Sequence, residues 1–145
     1  MQAGAAHVIA SEEEDVKAVV SNLTNGQGAR LIFDPVAGPF AEMLCECLTD
    51  EGMLIIYGGL SNKPAVFPRH LAIRKNLMMR GFNFFPLVRD RARLQIALDY
   101  LMPRLADGRF KMPIAHQFRL QDVVKAHETL ELNQHVGKLV MVVSA

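Results

Sequence analysis

The segment RLIFDPVAGPFAEMLCECLTDEGMLIIYGG, Arg30 to Gly59, decides the fold. Arg30-Leu31-Ile32-Phe33-Asp34 is a short apolar strand, stopped by Pro35, which has no N–H to continue a ladder. A helix starts near Pro39, a favoured first-turn position. Its apolar face reads Phe40, Met43, Leu44, Cys47 and Leu48. Asp50-Glu51-Gly52 then turns into Met53-Leu54-Ile55-Ile56-Tyr57, a second continuous apolar run closed by Gly58-Gly59. Strands that are apolar throughout, rather than at alternate positions, belong to a parallel sheet covered on both faces, and the helix between them is the crossover.

Working outward, the same alternation continues. On the N-terminal side, Val8-Ile9-Ala10 reads as the end of a short buried strand. Ser11 with Glu14 forms a capping box. Val16, Val19, Val20 and Leu23 then recur at helical spacing until Asn25-Gly26. The Val8-Ile9 strand is expected beside Leu31-Phe33, with helix 11–25 as a right-handed crossover. On the C-terminal side, residues 60–75 are a loop with a short helix around Leu71-Ala72-Ile73. Leu77 to Phe85 reads as a further strand, stopped by Pro86. Arg91 to Ala106 is a helix with Leu94, Ala97, Leu98, Leu101 and Leu105 on one face. Pro103 removes the donor to the Asp99 carbonyl and is expected to kink that helix or end it early. Gly108 is the stop. Ile114 to Leu120 is strand-like, Asp122 to Leu132 helical, and Leu139 to Val143 a closing apolar strand.

Composition narrows the function. The chain has 145 residues, 50% hydrophobic and 21% charged, with a formal net charge of +1. One domain of ordinary size fits that length. So small a net charge gives no electrostatic reason for nucleic acid or an anionic membrane as partner. No apolar stretch approaches the roughly 20 residues that span a bilayer. The segment from Met1 to His7 lacks the basic start and apolar run of a signal peptide, so a cytoplasmic location is expected. Cys45 and Cys47, two apart on a helix, point about 200° apart and read as ordinary thiols of a reducing compartment. His7, His70, His116, His127 and His135 are dispersed, with no i, i+4 pair, so no metal site is expected. His127 reads as a packing residue. No catalytic acid, base or nucleophile can be named.

A family resemblance emerges from the ordered motifs. Gly4-Ala5-Ala6-His7-Val8-Ile9 resembles the entry to the third strand of the medium-chain dehydrogenase nucleotide domain. Phe33-Asp34-Pro35-Val36-Ala37-Gly38 resembles the turn after its fourth strand, and Gly52 to Gly58 its fifth strand. Phe118-Arg119-Leu120, Ala126-His127, Leu130-Glu131 and Gly137-Lys138-Leu139-Val140 are similar to its closing string. The set spans essentially the whole chain, and the quinone oxidoreductase branch is the nearer one. The resemblance implies an α/β fold: an incomplete Rossmann-like parallel sheet with helices on both faces (1–109), then a C-terminal strand-helix-strand segment of the catalytic domain (110–145). It implies hydride transfer between NADP or NAD and a carbonyl, enone or quinone in the intact enzyme.

The resemblance also assigns roles to residues. Tyr57, Gly58, Gly59, Leu60 and Ser61 would approach the nicotinamide and its ribose, where small residues let a ring reach the backbone. Phe84 and Phe85 would flank the nicotinamide, or serve as core aromatics. Asp34 would bond a ribose hydroxyl, or satisfy its own turn as an Asx residue. Asn133, Gly137 and Lys138 would close near the cofactor, with Lys138 beside a phosphate or simply solvated. Family members often pair sixth-strand edges antiparallel across a two-fold axis. A homodimer through Leu77–Phe85, whose only charge is Arg80, is therefore expected.

One departure qualifies these implications. No G-x-G-x-x-G follows a strand: Gly26-x-Gly28 precedes one, and Gly58-Gly59 leads into no phosphate-cradling helix. In the order 3-2-1-4-5-6 the first two strands have no counterpart here. The isolated chain is therefore expected to be inactive, with weak or no nicotinamide binding. Two alternatives are a non-catalytic α/β dimerisation module or truncated remnant, and an unrelated flavodoxin-like binding domain.

Overall fold

A computed structural model of the chain describes residues 4–143. The chain divides into two compact units, the first ending at Asp90 and the second beginning at Arg91.

The first unit starts with a correction. Val8 to Ala10 joins no sheet among the described residues. An extended segment gains ladder bonds only beside another strand, and none runs beside this one. Ser11 is not the helix cap either. Glu13 and Glu14 donate their backbone N–H to Ala10 O, and Glu14 Oε2 accepts from Ala10 N at 2.6 Å, closing a separate turn. Helix α1 (Val16–Leu23) is capped by Asp15, whose Oδ1 accepts from Lys17 N and Ala18 N at 3.0 and 3.1 Å. A carboxylate at this position both accepts the free N–H groups and meets the positive end of the helix dipole.

Strand β1 (Ala29–Asp34), helix α2 (Phe40–Glu46), strand β2 (Leu48–Ile56), helix α3 (Arg69–Lys75) and strand β3 (Met78–Gly81) then alternate. The strands run parallel in the order β1-β2-β3. Leu31 pairs with Met53 and Met53 with Met78. The expected turn Asp50-Glu51-Gly52 lies inside β2 as a bulge. Ala29 pairs with Leu48 but Leu31 with Met53, so Thr49 to Gly52 stand opposite Arg30 alone. Glu51 takes the left-handed conformation (φ 59°), and a Cβ at Gly52 would lie 2.8 Å from Thr49 O.

One side of this sheet holds the core. Ala41, Cys45, Leu48 and Leu54 are fully buried, with Ile32, Leu44, Ile56, Leu71, Leu77 and Met79 packed against them. The opposite side presents Leu31, Phe33 and Met78, exposed by 45%, 61% and 50%.

Strand β3 is shorter than expected. Asn83 Oδ1 accepts from Phe85 N at 3.0 Å, and Phe84 already has helical backbone angles. Helix α4 (Phe85–Arg89) follows, with Pro86 in its first turn. The proline thus starts a helix instead of stopping a strand, because its fixed φ suits a first turn. Phe84 and Phe85 are therefore helix-start residues.

The second unit opens with helix α5 (Arg91–Ala106), which runs through Pro103 without ending there. Arg104 Nη1 donates to Tyr100 O at 2.6 Å, and its guanidinium lies 3.6 Å over the Tyr100 ring. This side-chain donor falls in the turn that the proline deprives of an N–H. Gly108, at φ 75°, follows the helix as expected. Strand β4 (Ile114–Arg119), a single 3₁₀ turn (Leu120–Asp122), helix α6 (Val123–Glu131) and strand β5 (Lys138–Val142) make one parallel crossover. Among the described residues no helix is long and apolar enough to cross a membrane.

Candidate functional site

Strands β1 and β2 end side by side, Asp34 opposite Ile56. The two loops beyond them stay laced. Tyr57 N donates to Asp34 O at 3.0 Å, Leu60 N to Pro35 O at 3.3 Å, and Ser61 N to Val36 O at 2.9 Å. Such close approach demands glycine. A Cβ on Gly58 would stand 2.5 Å from Pro35 O, and one on Gly38 (φ 64°) would stand 2.3 Å from Ser61 Oγ. Around Gly59, in contrast, nothing lies within 4 Å of a Cβ position. Gly58 holds the loops together, and Gly59 leaves room.

Asp34 organises the first loop. It is 2% exposed, and its Oδ1 accepts from Val36 N and Ala37 N at 2.8 and 3.0 Å. These bonds form an Asx turn, which carries Ala37 into the left-handed region at φ 60°. The other oxygen, Oδ2, is enclosed and has no donor among the described residues. A buried acceptor left without a donor costs about 1–3 kcal/mol. In the second loop Tyr57 and Leu60 are exposed, and Ser61 Oγ accepts from Lys63 N at 3.1 Å.

The sequence-predicted site residues fall into three groups. Asp34, Tyr57, Gly58, Gly59 and Ser61 sit on the one pair of laced loops. Phe84 and Phe85 lie past the end of β3, which is parallel to β2, and so at the same end of the sheet. Both are exposed, and their rings stack at 4.4 Å between centroids. Asn133 and Lys138 belong to the second unit. Asn133, at φ 51°, donates its N–H to Leu130 O and ends α6, while Lys138 begins β5 with its N–H on Pro113 O. Gly137 there is obligatory, since a Cβ would lie 2.6 Å from Pro113 O. Nothing in the sequence singles out His135, yet it lines a cavity of about 290 Å³ with His127, Leu130 and Lys138. Its Nδ1 is enclosed without a hydrogen-bond partner among the described residues.

These loops lie at the carboxyl ends of parallel strands, the usual ligand position in open α/β sheets. Among the described residues no three His, Cys, Asp or Glu side chains gather to hold a metal. Cys45 and Cys47 are free and buried, and burial, the largest cause for each, pushes both thiols above their ordinary range.

A family model described as zinc-binding dehydrogenase matches residues 3–141. Quinone oxidoreductase 1 of Escherichia coli (strain K12) is 28% identical over 98% of this chain and 44% of its own length. The 2-haloacrylate reductase of a Burkholderia species is 23% identical, over 98% of this chain and 43% of that protein. The solved structure of Escherichia coli quinone oxidoreductase complexed with NADPH superposes with a TM-score of 0.89 at 26% identity, covering 98% of this chain and 44% of that one. The chain therefore spans less than half the length of these relatives.

Proposed function

Because the chain belongs to the zinc-binding dehydrogenase family and corresponds to the C-terminal part of its quinone oxidoreductase-like members, we propose that it supplies the nicotinamide-side wall of an NADP- or NAD-dependent oxidoreductase acting on a carbonyl, enone or quinone. One observation carries this reading: two strand-end loops are laced so tightly that Gly58 and Gly38 are obligatory, while Gly59 stands open beside exposed Tyr57. A flat ring fits against that bare backbone, and Asp34 keeps the facing turn rigid. A nicotinamide bound there would supply the hydride chemistry, and the protein's part is to orient the ring and shield it. Phe84 and Phe85 extend the apolar wall at the same end. No step is assigned to a zinc ion.

The reading includes weak binding by the isolated chain. Pyrophosphate is held by N–H groups at a helix N-terminus after a Gly-rich turn, and this sequence has no such motif. An isotope-labelled chain titrated with NADPH or NADH tests both halves. The amides of Tyr57, Gly58, Gly59 and Ser61 shift, without saturating at micromolar cofactor. Unmoved amides overturn the site, and micromolar affinity overturns the incompleteness.

The same reading places a second copy of the chain against β3. That edge strand carries Met78 and Met79 with Arg80 as its only charge, and pairing across a two-fold axis would satisfy its free backbone groups. Light scattering at micromolar concentration decides, and a mass of 16.1 kDa ends the idea.

A further inference from the structure

Helices α1, α2 and α3 enclose a second cavity in the first unit, of about 580 Å³. That is within the range of roughly 300–1,000 Å³ typical of small-molecule sites. None of its lining residues lies on the loops 34–38 or 57–61.

Its frame is tied down. Lys75 Nζ donates to Glu46 O at 3.0 Å and also to Leu48 O, fixing the end of α3 to the end of α2. Lys17 on α1 is ion-paired with Glu46, and that bond, with the charge of Glu46, raises the lysine pKa. With Glu46 matched, the α2 wall keeps one free acid, Glu42. The α3 wall carries Arg69, His70 and Arg74. Arg69 Nη2 lies 3.1 Å from His70 Nε2, and neither guanidinium joins an ion pair among the described residues. Phe67, 57% exposed, lines the cavity next to buried Pro68.

Two guanidinium forks that join no ion pair among the described residues, one of them beside His70, stand near an exposed aromatic face and match an anion attached to a flat ring. Guanidinium binds phosphate through paired hydrogen bonds, and the ring can stack on phenylalanine. We propose that this cavity binds a small organic phosphate with a planar ring, the chemistry of a nucleoside monophosphate. Arg69 and Arg74 hold the phosphate, and Phe67 carries the ring. Glu42 opposes the anion from the other wall and keeps affinity low.

The test is titration of the isotope-labelled full chain with AMP, with inorganic phosphate and with adenosine. AMP shifts the amides of Phe67, His70, Leu71 and Arg74 saturably; phosphate does so more weakly, and adenosine does not. Replacing both Arg69 and Arg74 with alanine weakens AMP roughly tenfold or more, the loss expected when hydrogen bonds to a charged group disappear. Glu42→Gln tightens it, and this gain cannot come from a variant that merely unfolds. Phosphate binding as well as AMP removes the ring from the proposal. Shifts confined to the Tyr57–Ser61 amides, adenosine binding as well as AMP, or unchanged affinity in the arginine variant overturns it.

Discussion

In the first unit α2 carries the chain from β1 to β2 and closes over Ala41, Cys45, Leu48 and Leu54, all shut from solvent. In the second, α6 carries it from β4 to β5, and among the described residues of that unit only Ala126 is buried. Both are parallel strand-helix-strand crossovers, so topology alone does not make a core. The first has a third strand, β3, and a second helix, α3, on the same side, and these bring Leu71, Leu77 and Met79 onto the cluster. The second has two strands, and its long helix α5 leaves Leu98, Leu101 and Leu105 exposed. A helix on a two-stranded sheet buries too little apolar surface to enclose more than small residues.

This contrast can be broken by mutation. Leu54→Ala, at the centre of the buried cluster, should cost about 2–5 kcal/mol and lower the urea midpoint sharply. A small shift there would mean that the first unit has no more core than the second. Gly58→Val drives a side chain into the Pro35 carbonyl and should cost about 1–3 kcal/mol, read in the same unfolding curve. Asp15→Ala removes the α1 cap and should cost about 1 kcal/mol. Leu101→Ala, on the exposed α5 stripe, should stay within about 0.5 kcal/mol; a loss like that of Leu54 would erase the distinction.

A further prediction concerns pH. Burial, then the charges of Glu42 and Asp34, raise the Cys45 thiol above its ordinary value. The folded chain therefore keeps this proton after the unfolded chain has lost it. Stability is fully present below the ordinary thiol value of about 8.5 and falls as pH rises through the folded one. Urea midpoints between about pH 7 and 10 should decline, and Cys45→Ala should flatten that slope. An unchanged slope would show that the alkaline loss arises elsewhere.

The strands were legible where apolar runs were long. Leu31 to Phe33 and Met53 to Ile56 pair as their composition implies, and Pro39 immediately precedes α2. What escaped was decided by single polar contacts. Asp15 outcompeted Ser11 as cap because its carboxylate reaches two N–H groups. Asn83 turned an apparent strand into the start of α4 through one bond to Phe85 N. Neither choice leaves a periodic trace. Val8-Ile9 has strand character but no strand beside it among the described residues, and a ladder depends on the neighbour. At the site, the glycines and Asp34 were visible in the sequence. The wall of Arg69, His70 and Arg74 was not, because its opposing acid lies on α2, distant along the chain.

Strand β1 has a second consequence, for the behaviour of the chain in concentrated solution. Its outer edge pairs with nothing among the described residues, and it carries exposed Leu31 and Phe33 with one exposed charge, Arg30. Such an edge is a seed for strand addition and, with repetition, for fibrillar aggregation. Pro35 limits this. The residue that receives Leu60 at the site also cannot donate to a foreign strand, so an added ladder stops where β1 stops.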